Sequence, residues 1–104
     1  MTLDARDVLL STDLRDPAAI AYFTWDDPLT VAEVQRRLRE DPPAEQVRLL
    51  GKILREARDT DVWNFTTPEA VLARWDALAP HLGRRRAFWE WLLTLWRKQG
   101  LIGR

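Results

Sequence analysis

The chain has no cysteine, one histidine (His81) and one serine (Ser11). The missing cysteine removes disulfides, thiol nucleophiles and thiolate metal sites together, and it suits a reducing compartment. His81 has no second imidazole and no carboxylate cluster at ligand spacing, so no metal site is expected. Ser11 stands alone near the start of the chain, which argues against a serine nucleophile. Glycine occurs four times, and nowhere as a loop that cradles phosphates. No stretch approaches the roughly 18 apolar residues of a membrane helix. Met1 to Asp16 is charged and lacks the apolar segment of a secretory signal. The expectation is a cytoplasmic protein that contacts no membrane, carries no metal or cofactor and is not an enzyme.

What is abundant is tryptophan: Trp25, Trp63, Trp75, Trp89, Trp91 and Trp96. Each can bury on the order of 150–250 Å², so these side chains should dominate the core and any interface. With 46% apolar and 31% charged residues, a chain of this length suits one globular domain. Net charge is zero but unevenly spread. Residues 1–30 carry two basic and six acidic side chains, a net of −4, and residues 80–104 carry six basic and one acidic, a net of +5. Either the two ends attract each other or the basic end meets an acidic partner.

Residues 1–15 have weak periodicity and read as a loose N-terminal tail, leaving residues 16–104 as a single helical bundle domain. Asp16-Pro17 resembles an N-cap followed by proline at the first helical position. It predicts a brief helix from Ala18 to Thr24, with Tyr22, Phe23 and Trp25 packed inward. Thr30 and Glu33 form a capping box for a helix to about Glu40, with an apolar stripe of Val31, Val34 and Leu38. Asp41-Pro42-Pro43 ends it. The next helix, about Ala44 to Arg58, gathers Val47, Leu49, Leu50, Ile53, Leu54 and Ala57 within about 160° of arc. Val62, Trp63 and Phe65 favour a short extended link. Thr67-Pro68-Glu69 restarts a helix that buries Val71, Leu72, Trp75 and Leu78 and closes at Pro80. The last helix, about Arg84 to Gln99, ends at Gly100 in a left-handed cap, with Leu101 supplying the accompanying apolar contact. The expected fold class is all-α: a small orthogonal or irregular bundle of four to five helices.

The last helix carries the interaction signal. With Phe88 at 0° and about 100° per residue, Trp91 falls at about 300°, Leu95 at 340°, Leu92 at 40°, Trp96 at 80°, Trp89 at 100° and Leu93 at 140°. That arc of about 200° is twice what a one-sided surface helix needs. The helix is therefore either central, with neighbours on both flanks, or partly left for a partner. Arg84, Arg85 and Arg86 stand at its first turn, where the helix dipole disfavours cations by about 0.3–1 kcal/mol each. They can be solvated, paired with the acidic N-terminal segment, or kept for an anionic partner. Arg84, Arg85, Arg86, Trp91 and Leu95 are thus the expected partner-binding residues, and a homo-oligomer is another way to cover the arc.

Two other constellations have plainer readings. Glu56 and Asp59, at three-residue spacing, suit a helix-end salt-bridge knot better than acid–base chemistry. The helices 31–40 and 44–58, with Arg48, Lys52 and Arg55 on the second, match a helix-turn-helix in length. Glu45 and Glu56 dilute that face and the total charge is zero, so nucleic-acid binding stands as the alternative to a protein partner.

From Tyr22 to Ile102 the sequence resembles a group of small uncharacterised bacterial all-helical proteins. The resemblance is carried by Tyr22-Phe23-Thr24-Trp25-Asp26, by the stretch from Leu54 to Trp63, and by Leu82-Gly83-Arg84-Arg85-Arg86-Ala87-Phe88-Trp89. It implies an antitoxin-like or accessory role beside a nucleotidyltransferase-type (AbiEii-like) toxin encoded nearby, and it transfers no catalytic residue.

Overall fold

A computed structural model describes residues 10–101 of the chain. It is mostly helical, with five α-helices and one very short parallel sheet, and not a pure helical bundle. The sheet pairs β1 (Leu10–Ser11) with β2 (Ile20–Ala21), Leu10 opposite Ile20 and Ser11 opposite Ala21. On its other side β2 meets the start of the first long helix, through Ala21 N–H to Leu29 C=O at 3.0 Å and Val31 N–H to Ala19 C=O at 2.9 Å. These bonds to other segments claim the backbone groups that the expected helix over 18–24 would have used internally. A single 3₁₀ turn at Tyr22–Thr24 is all that remains of it. Residues 10–15, expected in the loose tail, supply β1 and the buried Leu14. The rest of that tail, residues 1–9, lies outside the described residues.

Thr24 explains the loop that follows. Its buried hydroxyl donates to Ala21 C=O at 2.8 Å and accepts from Leu29 N–H at 3.0 Å, closing the turn over residues 25–28. Trp25 sits on that turn and is 61% exposed, whereas Phe23 is buried and Tyr22 half-buried. The expectation that Trp25 packs inward is corrected: the Thr24 staple turns it outward.

α1 (Val31–Glu40) starts on the expected capping box. Thr30 Oγ1 accepts from Glu33 N–H at 3.1 Å, and the Glu33 carboxylate accepts from Thr30 N–H at 3.4 Å. Asp41 leaves the helix in extended geometry. α2 (Pro43–Glu56) begins with proline in its first turn, and Gln46 Nε2 donates to Asp41 C=O at 2.7 Å across the hairpin. Leu50, Ile53, Leu54 and Ala57 are buried as the periodicity requires, and Val47 and Leu49 flank them half-buried.

The expected extended link is instead a 3₁₀ turn over Asp61–Asn64, which buries Val62 and leaves Trp63 and Phe65 half-buried. α3 (Pro68–Ala73) is capped by Thr67, whose hydroxyl accepts from Ala70 N–H at 3.1 Å. The single helix expected up to Pro80 breaks at Arg74 (φ −111°, ψ 16°), resumes as α4 (Trp75–Leu78) and tightens to 3₁₀ geometry at Ala79–His81. A left-handed Gly83 (φ 52°) and a 3₁₀ turn over Gly83–Arg85 lead into α5 (Arg86–Lys98). α5 ends in a Schellman motif on Gly100 (φ 74°): Leu101 N–H bonds Trp96 C=O at 2.9 Å and Gly100 N–H bonds Arg97 C=O at 3.1 Å. Leu101 stays exposed, so its expected apolar contact is not sealed.

The core lies between α1, α2, α4 and α5, around Val34, Ile53, Leu54, Leu78, Leu82 and Trp89. Among the described residues no helix is long and apolar enough to cross a membrane.

Candidate interaction surface

The inward side of α5 is narrower than its sequence arc. Trp89 is fully buried and Leu93 nearly so, with Leu92 and Trp96 half-buried beside them. With Phe88, also half-buried and packed against the core, they occupy about 140° of arc. Trp89 is fixed by its polar edge, Nε1 donating to Leu54 C=O on α2 at 2.7 Å, and by Trp63, packed edge-on at 5.7 Å between ring centroids. The core therefore needs one tryptophan of α5 completely and a second in part.

Trp91 belongs to the other side. It is 59% exposed on a regular stretch of helix, with its ring leaning toward Phe88 at 6.4 Å. With Ala87, Glu90, Thr94, Leu95 and Lys98 it lines a shallow open depression on the outer face of α5. Leu95 sits half-buried at its margin.

The three arginines do not act together. Arg84 and Arg86 are exposed and, among the described residues, form no ion pair. Arg85 turns back into the fold, where Nη2 donates to Asp59 and the guanidinium lies 4.7 Å from the Phe88 ring centroid and 5.7 Å from that of Trp89. Arg85 Nε is buried with no hydrogen-bond partner. Arg85 thus braces the first turn of α5, and its replacement would disturb the fold as well as any surface contact.

Among the described residues no ion pair joins 10–30 to 80–101, since Asp26 pairs with Lys52 and Arg85 with Asp59. Lys52 holds the Asp26 carboxyl below its usual range, because the ammonium hydrogen bond favours the charged form.

No family model, curated protein or solved structure matches the chain. Its own residues therefore carry the assignment.

The cations of α2 are largely committed. Lys52 is held by Asp26, Arg55 donates to His81 C=O at 2.9 Å and pairs with Glu56, and Arg48 lies 3.7 Å from Glu45. They line a cleft with Asp26, Asp27, Asp41 and Glu45, so that face is of mixed sign. Glu56 and Asp59 do not share a helix face, because α2 stops at Glu56 and their partners differ, Arg55 and Arg85. No group of three His, Asp or Glu side chains among the described residues is placed to hold a metal ion.

The stretches 22–26, 54–63 and 82–89 converge in space. Tyr22 OH donates to Asp61 Oδ2 at 2.6 Å and accepts from Arg58 N–H at 2.7 Å, while Asp59 receives Arg85 and Leu54 C=O receives Trp89. Sequence reasoning missed this knot because its members are 26 to 39 residues apart. Burial raises the Tyr22 phenol above its ordinary value of 10.0; the Arg58 amide offsets part of this and Asp61 adds to it. A raised folded pKa means stability present below the unfolded value and lost as pH climbs through the folded one. Because Tyr22 is the one tyrosine, its phenolate absorbance near 295 nm can be followed cleanly. The expected result is ionisation at higher pH in the native protein than in guanidinium, and a lower native midpoint would refute the burial of the phenol.

Proposed function

We propose that this chain is a protein-interaction module that docks through the outer face of α5, in an antitoxin-like or accessory role toward a nucleotidyltransferase-type toxin. The observation that carries the docking reading is Trp91, a large aromatic side chain in water on a well-formed helix whose core is already filled by Trp89. Exposed tryptophan and arginine are the residue types that most often concentrate binding energy at interfaces. The toxin pairing is supported by the resemblance alone.

The test is co-expression with the products of its neighbouring genes, a nucleotidyltransferase-type protein being the expected partner, followed by purification and titration of the complex. Trp91→Ala is expected to weaken the complex by about 2 kcal/mol or more, roughly 30-fold, as hot-spot truncations do. Its stability should stay within about 0.5 kcal/mol of the native protein, as for other surface changes. A complex that forms equally well without Trp91 would refute this surface.

Exposed Arg84 and Arg86 also support a second reading, nucleic-acid binding. It predicts an affinity that falls steeply with salt and depends on these arginines but not on Trp91.

A further inference from the structure

We infer that, until a partner binds, the outer face of α5 is closed by a second copy of this chain laid antiparallel across Thr94. The inference rests on the docking reading above, since it gives that same face its first occupant. Ala87, Glu90, Trp91, Thr94 and Lys98 are exposed there, with half-buried Leu95 at the margin, and they recur every three or four positions. They span about 16 Å, three turns of helix. A strip at this spacing is what another helix packs into, each large side chain entering the gap between four residues of the facing helix.

The face's own charges select the helix that fits. Its lining carries one acid, Glu90, and one cation, Lys98, each four residues from Thr94. The strip is therefore complementary to itself. A two-fold axis through Thr94, perpendicular to α5, sets each position before Thr94 opposite the equally distant position after it in the second copy. Glu90 then meets Lys98 of the second copy, and Lys98 meets its Glu90, two ion pairs from one contact. Lys98 of the second copy enters the gap between Ala87, Glu90, Trp91 and Thr94. The small Ala87 and Thr94 leave room for its methylene stem, and the Trp91 ring attracts its ammonium. A parallel pair would set Glu90 against Glu90 and Lys98 against Lys98, and like charges exclude it. A polyanion would meet an acid as well as a cation on this strip, with no continuous basic track to follow. One helix strip per copy lies at the low end of specific interface sizes, so the dissociation constant is on the order of tens of micromolar. A partner with a larger interface displaces the second copy.

The test is sedimentation equilibrium of the whole chain over concentrations that bracket this constant, at an ionic strength of about 0.15 M. The native protein is expected to pass from monomer to dimer and no further, because a two-fold contact closes on itself. Trp91→Ala should weaken the dimer about 30-fold. Glu90→Lys and Lys98→Glu should each weaken it about tenfold or more, by setting like charges together at both symmetric sites. The double variant Glu90→Lys/Lys98→Glu should associate as well as the native chain, and so should an equimolar mixture of the two single variants. All three side chains are exposed, so the helical circular dichroism of every variant should match the native signal. A chain that stays monomeric, a dimer that survives Trp91→Ala, or a charge exchange that restores nothing overturns the second copy. The docking reading is judged separately, by the co-expressed complex. A Trp91-dependent complex built from a chain that is monomeric when free sinks this inference and leaves docking in place. A complex that retains the α5-paired dimer sinks the docking reading and leaves the second copy in place.

Discussion

Trp89→Ala is expected to destabilise the protein by about 3–5 kcal/mol, the range for emptying a buried aromatic site. Trp89 is fully buried between α2 and the 61–64 turn, and its indole N–H satisfies the Leu54 carbonyl. The loss is a large share of the roughly 5–15 kcal/mol that holds a typical domain together. Trp89→Phe separates the two contributions. It keeps an aromatic ring but leaves the Leu54 carbonyl unpaired in the core, a cost of about 1–3 kcal/mol in addition to the smaller buried area. Urea denaturation followed by circular dichroism would measure both. Two positions along the same helix, Trp91→Ala should barely move the midpoint. Comparable losses at the two sites would mean that α5 does not present its sides as described.

Gly51→Ala is expected to destabilise the protein by about 1–3 kcal/mol, against its usual effect within a helix. Replacing a mid-helix glycine by alanine ordinarily gains about 1 kcal/mol. Here an added Cβ would lie 2.7 Å from His81 Cβ and 3.4 Å from His81 Cγ. α2 passes directly against the 79–81 turn, and Arg55 further pins that turn through the His81 carbonyl. Either α2 or the turn must shift, and overpacking a closed contact carries the cost given above. Truncating His81 no further than alanine leaves the conflict in place, because its Cβ remains. Gly51→Ala/His81→Gly removes it, and the double variant should recover part of the loss in a thermodynamic cycle. Stabilisation by the single Gly51→Ala change would show that α2 and the turn stand farther apart.

Local signals were legible in the sequence and long-range ones were not. The Thr30–Glu33 box, the proline at the start of α2 and the Gly100 cap are written within a few residues of where they act, and each is found in place. The stretch 18–24 departs from the expected helix because its backbone bonds go to residues 10–11 and 29–31. The 61–64 segment is a 3₁₀ turn and not the expected extended link because β-propensity at Val62 and Trp63 gives way to tertiary burial. At the candidate surface, the helical wheel placed Trp91 on the edge of the apolar arc, which separates it from Trp89. It had no means of dividing the arginine triplet, since Asp59, the partner that removes Arg85, is 26 residues away. Gly51 carried a readable sign, a glycine in the middle of a helix, which often marks a close approach.

The turn after α2 is held from an earlier and from a later part of the chain. Tyr22 reaches it from the N-terminal side through the Arg58 amide and Asp61, and Arg85 reaches it from the C-terminal side through Asp59. Loss of either hold therefore loosens the anchor of the other, and local opening around the turn becomes costly. Amide exchange in α2 and in the first turn of α5 should accordingly converge on one common opening free energy.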